Sequence, residues 1–337
     1  PRPVEVSTGT SAAIVVKVTV DGSDISFDYT GTAPQVRGPV NAPLGVTIAG
    51  IYFTLISVTD PTIPVNDGCF RPVSIHVPEG SMMNPIRPAP VAGGNVETSQ
   101  RNVDVLMRAF AQILPDKVPA AGLGTMNNVC IGGVGDDGSP WTFYETVGGG
   151  SGGRPGSDGV DGVHVNMTNT MNTPIEALEA YLPLRFEAYR LRRDSGGPGR
   201  WRGGCGIERS WTLLATKATL SILAERTKIP PWGLQGGGSG ALGEYLLKRG
   251  DGSTIRLPSK CTVSLEKGDT LIIRTPGGGG YGDPLERNPD LVLRDVLNGL
   301  VSLEAARRDY GVVIDAERMR IDEDATEVLR RTMGAAD

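Results

Sequence analysis

Histidine, glutamate and asparagine side chains in four glycine-flanked segments are the residues of this sequence best suited to chemistry. His164 lies in a polar stretch, residues 161–172, that is crowded with amides and hydroxyls. Glu145 precedes the glycines of residues 148–150, and Glu97 follows Gly93 and Gly94. Histidine and glutamate commonly move protons in enzymes. Side-chain amides and the free N–H groups at a helix start can stabilise an oxyanion.

These segments are predicted to meet in one pocket, because an active-site wall requires convergence and isolated polar loops do not. The predicted catalytic residues are Glu97, Glu145 and His164, and the predicted substrate-binding residues are Asn95, Asn127, Asn128, Asn166 and Asn169. If residues 161–172 form a strand, alternation places His164, Asn166 and Thr168 on one face. The alternatives are a hydrogen-bonded strand edge at this segment and a simple capped helix after Gly94.

Several classes of function are disfavoured by composition and by missing motifs. The second histidine, His76, lies in a strand-like run that favours a structural or surface role. No H-E-x-x-H motif and no Walker motif is present, and the lack of a Walker motif predicts that the chain has no ATP site. The four cysteines are scattered, which predicts reduced thiols in a cytoplasmic protein and no zinc site. Two separated histidines predict that this chain alone binds no metal.

Charge and hydropathy give no sign of a nucleic-acid or membrane partner. The formal net charge is −5, and no apolar run reaches the 18 residues typical of a membrane span. Glycine is abundant, with 47 residues, and this predicts many tight loops or close backbone approaches. The run 277–280 resembles a phosphate loop, but no lysine follows it, which favours a closely packed turn.

The elements that must position these residues predict an α+β, β-rich fold. Residues 14–20 and 25–29 are expected to form a hairpin around Asp21-Gly22. Helices are predicted at residues 44–60, at 97–114 with Asn95 as N-cap, and after Thr173 with Pro174 at the first position. Short β-like runs then alternate with glycine turns: 185–191, 207–214, 219–225, 245–248 and 270–274.

This pattern divides the chain into three parts. Residues 1–183 are predicted to form a mixed α/β part, residues 184–285 an antiparallel β-rich part of the same domain, and residues 286–337 a charged helical tail. The chain opens almost directly into a strand, which we interpret as a sign that upstream sequence is missing.

At nine segments in order the sequence resembles the hydantoinase B/oxoprolinase family. The resemblance spans about residues 20–285, and so many ordered motifs make it specific. The matching segments are 27–41, 63–72, 93–101, 124–128, 144–150, 167–179, 195–204, 231–237 and 275–282. Residues 172–179, Asn-Thr-Pro-Ile-Glu-Ala-Leu-Glu, resemble the hydantoinase and carboxylase branches more than the oxoprolinases.

The resemblance implies a subunit of an ATP-dependent enzyme that opens a cyclic amide, with N-methylhydantoinase as the leading activity. A hydantoinase A-type partner would bind ATP and Mg and would phosphorylate the amide oxygen, which implies a hetero-oligomer. The alternatives are an acetone or acetophenone carboxylase-type subunit with a ketone substrate, a 5-oxoprolinase-type subunit, and a non-catalytic assembly fragment.

Two departures from the family pattern bear on catalysis. Family members carry an upstream region whose His and Asp groups look like ligands of a divalent metal, and this chain resembles the C-terminal part alone. They also often have a second histidine where this chain has Asn166.

Overall fold

The computed structural model describes residues 4–5 and 12–335 of the chain. Its strands are β1 (Val4–Glu5), β2 (Lys17–Asp21), β3 (Asp24–Asp28), β4 (Val73–His76), β5 (Asn128–Val134), β6 (Pro140–Thr146), β7 (Leu184–Leu191), β8 (Ile207–Leu213), β9 (Lys217–Leu223), β10 (Glu244–Lys248), β11 (Thr254–Arg256), β12 (Lys260–Glu266), β13 (Thr270–Arg274), β14 (Ile314–Asp315) and β15 (Arg320–Ile321). The helices are α1 (Leu44–Val58), α2 (Ser99–Phe110), α3 (Ile175–Tyr181), α4 (Pro289–Leu297), α5 (Leu303–Tyr310) and α6 (Glu323–Gly334). The predicted α+β class is confirmed.

Two five-stranded sheets pack face to face and enclose the larger core. One sheet has the order β1-β12-β9-β5-β6 and the other the order β11-β10-β13-β8-β7, with antiparallel neighbours. Alternate residues of β9 and β12 are buried, as expected for strands with one inward face. Strands from both sides of residue 183 share the first sheet, because β9 pairs with β5.

A second core lies where α1 and α2 pack on the sheet β2-β3-β4. Phe27, Ile51, Leu106 and Phe110 are fully or almost fully buried there. In α2 the predicted apolar face is present, since residues 103, 106, 107 and 110 are all buried. In α1 apolar residues occur on every side of the helix, so it has no clear polar face.

Two local predictions were wrong in detail, and the conditional strand at residues 161–172 is not formed. Asn95 is not an N-cap, because a π-helical turn, Gly94–Thr98, precedes α2 and contains it. Pro174 is the N-cap of α3 and not its first helical residue. Residues 161–172 do not form a strand, since Asn166 has a left-handed φ of 53° that turns the chain.

The abundant glycines build a layer in which backbone packs directly on backbone. We call this layer the glycine core; it comprises residues 149–153, 195–206, 232–240 and 276–281. Gly278 donates to the Gly204 carbonyl at 2.9 Å, and its own carbonyl accepts from Gly197 at 2.8 Å. A Cβ on Gly278 would lie 1.8 Å from the Ser151 oxygen. Residues 277–280 are therefore closely packed as predicted, but they do not form a turn.

The predicted helical tail contains α4, α5 and α6, and also the short hairpin of β14 and β15. It has its own small core around Val292, Ala306 and Tyr310. The fully buried Arg287 joins this tail to the rest of the chain, because its guanidinium contacts Asp158 at 2.7 Å and Asp295 at 2.7 Å. Within the described part of the chain, no helix is both long and apolar enough to cross a bilayer.

Candidate functional site

Glu97 and Asn128 meet on the outer face of the first sheet. The Glu97 Oε1 atom accepts hydrogen bonds from the Asn128 side-chain amide at 2.7 Å and from the Met126 backbone at 3.1 Å. The Asn128 oxygen in turn accepts from the Tyr144 hydroxyl at 2.7 Å. Residues far apart in sequence are thus joined where the π-helical turn packs on β5.

The environment of Glu97 favours its neutral form. Its side chain is 1% exposed, and burial raises the pKa of Glu97 to about 8. A contact with the Thr125 side chain and the charge of Lys260 oppose this effect in part, while Glu225 reinforces it. At neutral pH most Glu97 side chains are therefore protonated.

Glu145 lies on the opposite, inner face of the same sheet. It is adjacent in register to Val129, which is part of the core between the sheets, whereas Asn128 points outward. The Arg209 guanidinium of β8 contacts the two Glu145 oxygens at 2.8 and 3.0 Å. This ion pair therefore links the two sheets.

The Glu145–Arg209 pair is enclosed by aromatic rings. The Arg209 guanidinium carbon lies 4.8 Å from the Phe186 ring centre, 4.4 Å from that of Tyr189 and 5.6 Å from that of Trp211. Burial raises the pKa of Glu145, and the charge of Arg209 opposes that shift. The nearby Asn127 also faces inward, where its oxygen accepts from the Tyr245 hydroxyl at 2.6 Å.

The segment that contains His164 runs beside α2 and then along β6, the edge strand. Gln100 of α2 donates to Thr168 Oγ1 at 2.5 Å and to the Val165 carbonyl at 3.3 Å. The hydroxyls of Thr146 and Thr170 are 2.8 Å apart. His164 is half-buried, burial lowers its pKa, and its Nε2 atom has no hydrogen-bond partner among the described residues.

A cavity of about 270 Å³ lies one helical turn along α2 from Gln100. We call it the Trp232 cavity. Its wall combines apolar and polar groups: Asp104, Met107, Pro119–Gly122, Ser151, Gly152, Arg154, Ser157, Asp158, Val160, Val165, Asn166 and Trp232. A small pocket of mixed polarity suits a small ring molecule with a few polar atoms.

Charges around the Trp232 cavity are largely compensated. Asp104 is buried and contacts Arg226 at 2.7 Å and Arg101 at 2.9 Å. Burial lowers the pKa of Arg226 to about 10, and the charge of Asp104 opposes that shift. Asp158 contacts Arg287, whereas Arg154 forms no ion pair with any residue that the structure describes.

The structure thus brings together some of the predicted site residues and separates others. Glu97, Asn127 and Asn128 are neighbours through direct hydrogen bonds or chain adjacency. Asn166 lines the Trp232 cavity, whereas His164, two residues earlier in the chain, is not part of its wall. Glu145 is separated from Glu97 by the sheet. Asn95 and Asn169 are exposed, and neither side chain has a hydrogen bond in the described structure.

Gln100, Arg209, Asp104 and Arg226 were not predicted from sequence, although each makes contacts that shape this region. Gln100 lies inside a segment that carries the family resemblance, which was a usable signal. Arg209 lies in a strand whose residues are all buried, so an arginine there requires a charged partner. No group of three or more His, Cys, Asp or Glu residues in the described ranges is placed to hold a metal ion.

Comparison with known proteins gives consistent relatives. A Methanocaldococcus jannaschii protein is 51% identical over 320 residues, which is 94% of this chain and 55% of that protein. The B-type subunit of a putative D-/L-hydantoinase from a Pseudomonas species is 40% identical over 328 residues, covering 94% of this chain and 54% of its own. The chain therefore spans about half the length of these curated relatives.

Two solved structures share the architecture. The ATP-dependent caprolactamase from Pseudomonas jessenii has a TM-score of 0.84 at 29% identity, covering 95% of this chain and 56% of that one. A nucleotide-free acetone carboxylase has the same TM-score at 22% identity, covering 95% and 48%, and supports the fold alone. The sequence profile of the Hydantoinase B/oxoprolinase family matches residues 4–284. The chain belongs to the hydantoinase B/oxoprolinase family.

Proposed function

We propose that this chain forms part of the substrate site of an ATP-dependent cyclic-amide hydrolase with N-methylhydantoinase-like activity. The observation that carries the proposal is the Trp232 cavity, whose wall includes Asn166. The cavity lies one turn of α2 away from Gln100, which donates a hydrogen bond to the Val165 carbonyl. The wall includes Trp232, which lies in one of the segments that resemble the family, and the enclosed space suits a small ring.

Three kinds of relative favour a ring amide as the substrate class. They are the hydantoinase of the Pseudomonas species, 5-oxoprolinase 1 of Arabidopsis thaliana at 42% identity, and the caprolactamase. The runner-up is a carboxylase-type subunit with a ketone substrate, for which the acetone carboxylase likeness gives fold-level support alone. A 5-oxoprolinase-type activity and a non-catalytic assembly role are further alternatives.

The proposed reaction needs a partner. An amide is a poor electrophile, and phosphorylation of its oxygen would supply a good leaving group. We assign ATP and Mg to a hydantoinase A-type subunit, and a divalent metal to the part of the relatives that this chain does not span. This chain would then contribute binding and proton transfer within a hetero-oligomer.

His164 is our candidate for proton transfer. Burial lowers its pKa, so the imidazole is largely neutral at pH 7 and can accept a proton from an attacking water. Its Nε2 atom is buried without a partner in the described structure, so a small rearrangement would have to admit the water or substrate that it serves. Asn166 would donate an amide hydrogen bond to the ring, and Arg154 would face the charge of a phosphorylated oxygen.

Glu97 and Glu145 have different proposed roles. Glu97 is mostly protonated at neutral pH and bonds Met126 and Asn128, so it would position the start of β5. Glu145 would hold Arg209 and thereby fix the edge of β6 against the segment that carries His164. Asn127 and Asn128 would also help to position the start of β5. Asn95 and Asn169 are exposed, and they would contact a substrate that is bound where this chain meets the neighbouring part of the assembly.

The test uses the complex assembled from an A-type partner and the full-length B-type protein. Ring opening of N-methylhydantoin, 5-oxoproline and caprolactam would be measured with and without ATP. His164→Ala and Asn166→Gly should each lower turnover, by about 10²–10³ where a donor to the oxyanion is lost. Glycine at position 166 keeps the left-handed backbone and removes the amide alone.

Matched controls are available within the chain. His76→Ala removes an exposed histidine on β4, and Gln235→Gly alters another exposed residue with a left-handed φ, 52°. Both should retain wild-type turnover. Unchanged turnover in His164→Ala and Asn166→Gly would exclude the assigned roles. ATP-dependent carboxylation of acetone without ring opening would favour the runner-up.

A further inference from the structure

A second cavity, of about 500 Å³, opens on the outer face of the second sheet, and its charge is strongly positive. We call it the arginine cavity. It is lined by Arg190, Leu191, Arg192, Arg193, Glu208, Arg274 and Gly299. Four guanidinium groups therefore face a single lining carboxylate, that of Glu208. Glu244 contacts Arg274 from outside the lining, and when it is counted as well, two positive charges remain in excess.

Two of the four arginines are organised by acidic neighbours across the sheet. Arg190, Glu208, Arg274 and Glu244 occupy one cross-strand row of β7, β8, β13 and β10. Glu208 contacts Arg190 and also Arg274, the latter at 2.7 Å, and Arg274 contacts Glu244 at 2.9 Å. Paired in this way, Arg190 and Arg274 have defined positions at the cavity wall.

The other two arginines lack any acidic partner in the described part of the chain. Arg192 is half-buried and donates to the Leu242 and Thr275 carbonyls at 2.6 and 3.2 Å. Arg193 donates to the Gly299 carbonyl at 3.2 Å. A guanidinium carries five N–H donors, so both groups keep donors for another acceptor. The charges of Glu244 and Glu208 act on Arg192 from a distance, but a half-buried cation with no carboxylate in direct contact is further stabilised when an anion binds.

We propose that the arginine cavity binds a small molecule that carries a doubly charged oxyanion, either a phosphate group or a pair of carboxylates. Guanidinium groups match the geometry of both anions with paired hydrogen bonds. The excess of two positive charges matches a dianion. The volume and the backbone wall at Gly299 fit a small ligand better than a flat protein surface.

This site is separate from the Trp232 cavity, since the two share no lining residue. It also involves the tail, because Gly299 follows α4 and lies outside the residues that match the family profile. Binding at the arginine cavity can therefore be tested without any catalytic assay, and its outcome is independent of the proposed hydrolase activity.

The experiment is calorimetric titration of the whole chain at low ionic strength, with inorganic phosphate in one arm and succinate in the other. Binding of phosphate alone would identify a phosphate-type ligand, and binding of succinate alone a dicarboxylate. Arg193→Gln should weaken binding by about tenfold or more, because a hydrogen bond to a charged group is lost. Arg192→Gln should weaken it similarly, and Arg192→Lys less.

The matched control is Arg185→Gln, on the strand β7 that precedes Arg192 and Arg193; Arg185 is paired with Glu187 outside the cavity, so the change should leave binding unchanged. Arg193 is the safer test variant, since it is exposed and has a single backbone contact. Failure of both anions to bind at millimolar concentration would overturn the proposal. Binding that survives Arg192→Gln and Arg193→Gln unchanged would overturn it as well.

Discussion

Replacing Gly278 by alanine tests the idea that glycine is required in the glycine core for packing. The added Cβ would lie 1.8 Å from the Ser151 carbonyl oxygen and 2.3 Å from its carbon. Ordinary van der Waals contact would require a displacement of roughly 1.5 Å. Both contacting atoms belong to backbone, so a rotamer change cannot relieve the clash.

The expected magnitude follows from the hydrogen bonds at this residue. A displacement of that size would break the bonds from Gly278 to Gly204 and from Gly197 to Gly278. Each buried group left unsatisfied costs about 1–3 kcal/mol, so two such groups cost about 2–6 kcal/mol. With an unfolding entropy of about 2.1 cal/mol/K per residue, a chain of 337 residues should melt about 3–9 °C lower.

The assay is thermal unfolding of the whole chain followed by circular dichroism. Gly45→Ala is the matched control, because nothing lies within 4 Å of its Cβ position and alanine favours the helix α1. Gly238→Ala is a milder variant, because its added Cβ would meet the Pro198 ring at 2.8 Å and not backbone, and it serves if Gly278→Ala does not fold. A melting temperature for Gly278→Ala within about 1 °C of wild type would refute the packing argument.

Four further predictions concern charge and nucleotide. Burial raises the pKa of Glu97 to about 8 from 4.5, so its stabilising effect is complete below pH 4.5 and is lost as the pH rises through 8. Urea unfolding at pH 6 and 9 should therefore show a free energy of unfolding that falls by up to about 1.4 kcal/mol per pH unit. Glu97→Gln should remove this pH dependence, and the control Glu79→Gln, at an exposed position, should keep it. Arg209→Met should destabilise the chain by about 3–5 kcal/mol and the double variant with Glu145→Gln by less, and equal losses would contradict a coupled pair. Arg287→Gln should accelerate hydrogen exchange in residues 289–334 while the sheets keep their protection, since it releases Asp158 and Asp295. The purified chain alone should show no steady ATP turnover.

Local pattern predicted α1, α2 and most strands of the second sheet, but it missed β5, β6 and β12 of the first sheet and could not give the strand order of either sheet. The spacing of Val103, Leu106, Met107 and Phe110 predicted α2, because the period of an amphipathic helix is a property of the segment itself. The π-helical turn before it depends on a distant contact, since a Cβ on Gly94 would lie 2.1 Å from the Asn41 carbonyl. No sequence window contains that constraint.

The candidate site shows the same limit. Glycine-flanked polar segments predicted that Glu97 and Asn128 belong together, and they share a hydrogen bond. Which face of the first sheet Glu145 occupies depends on its register with β5, where it is opposite Val129. A one-residue change of register moves every side chain of a strand to the other face. Sequence pattern alone could not supply that register.

The glycine core and the Trp232 cavity share part of their structure. Ser151 and Gly152 line the cavity, and the same two residues would be struck by a Cβ on Gly278. The cavity wall therefore keeps its shape because side chains are missing behind it, and the abundance of glycine contributes to the site as well as to stability.

If this is correct, Gly278→Ala should alter hydrogen exchange at residues 151–160 even under conditions where the chain remains folded. Gly243→Ala should leave exchange at those residues unchanged. Exchange that differs at the sheets but not at residues 151–160 would separate the glycine core from the cavity and contradict the connection.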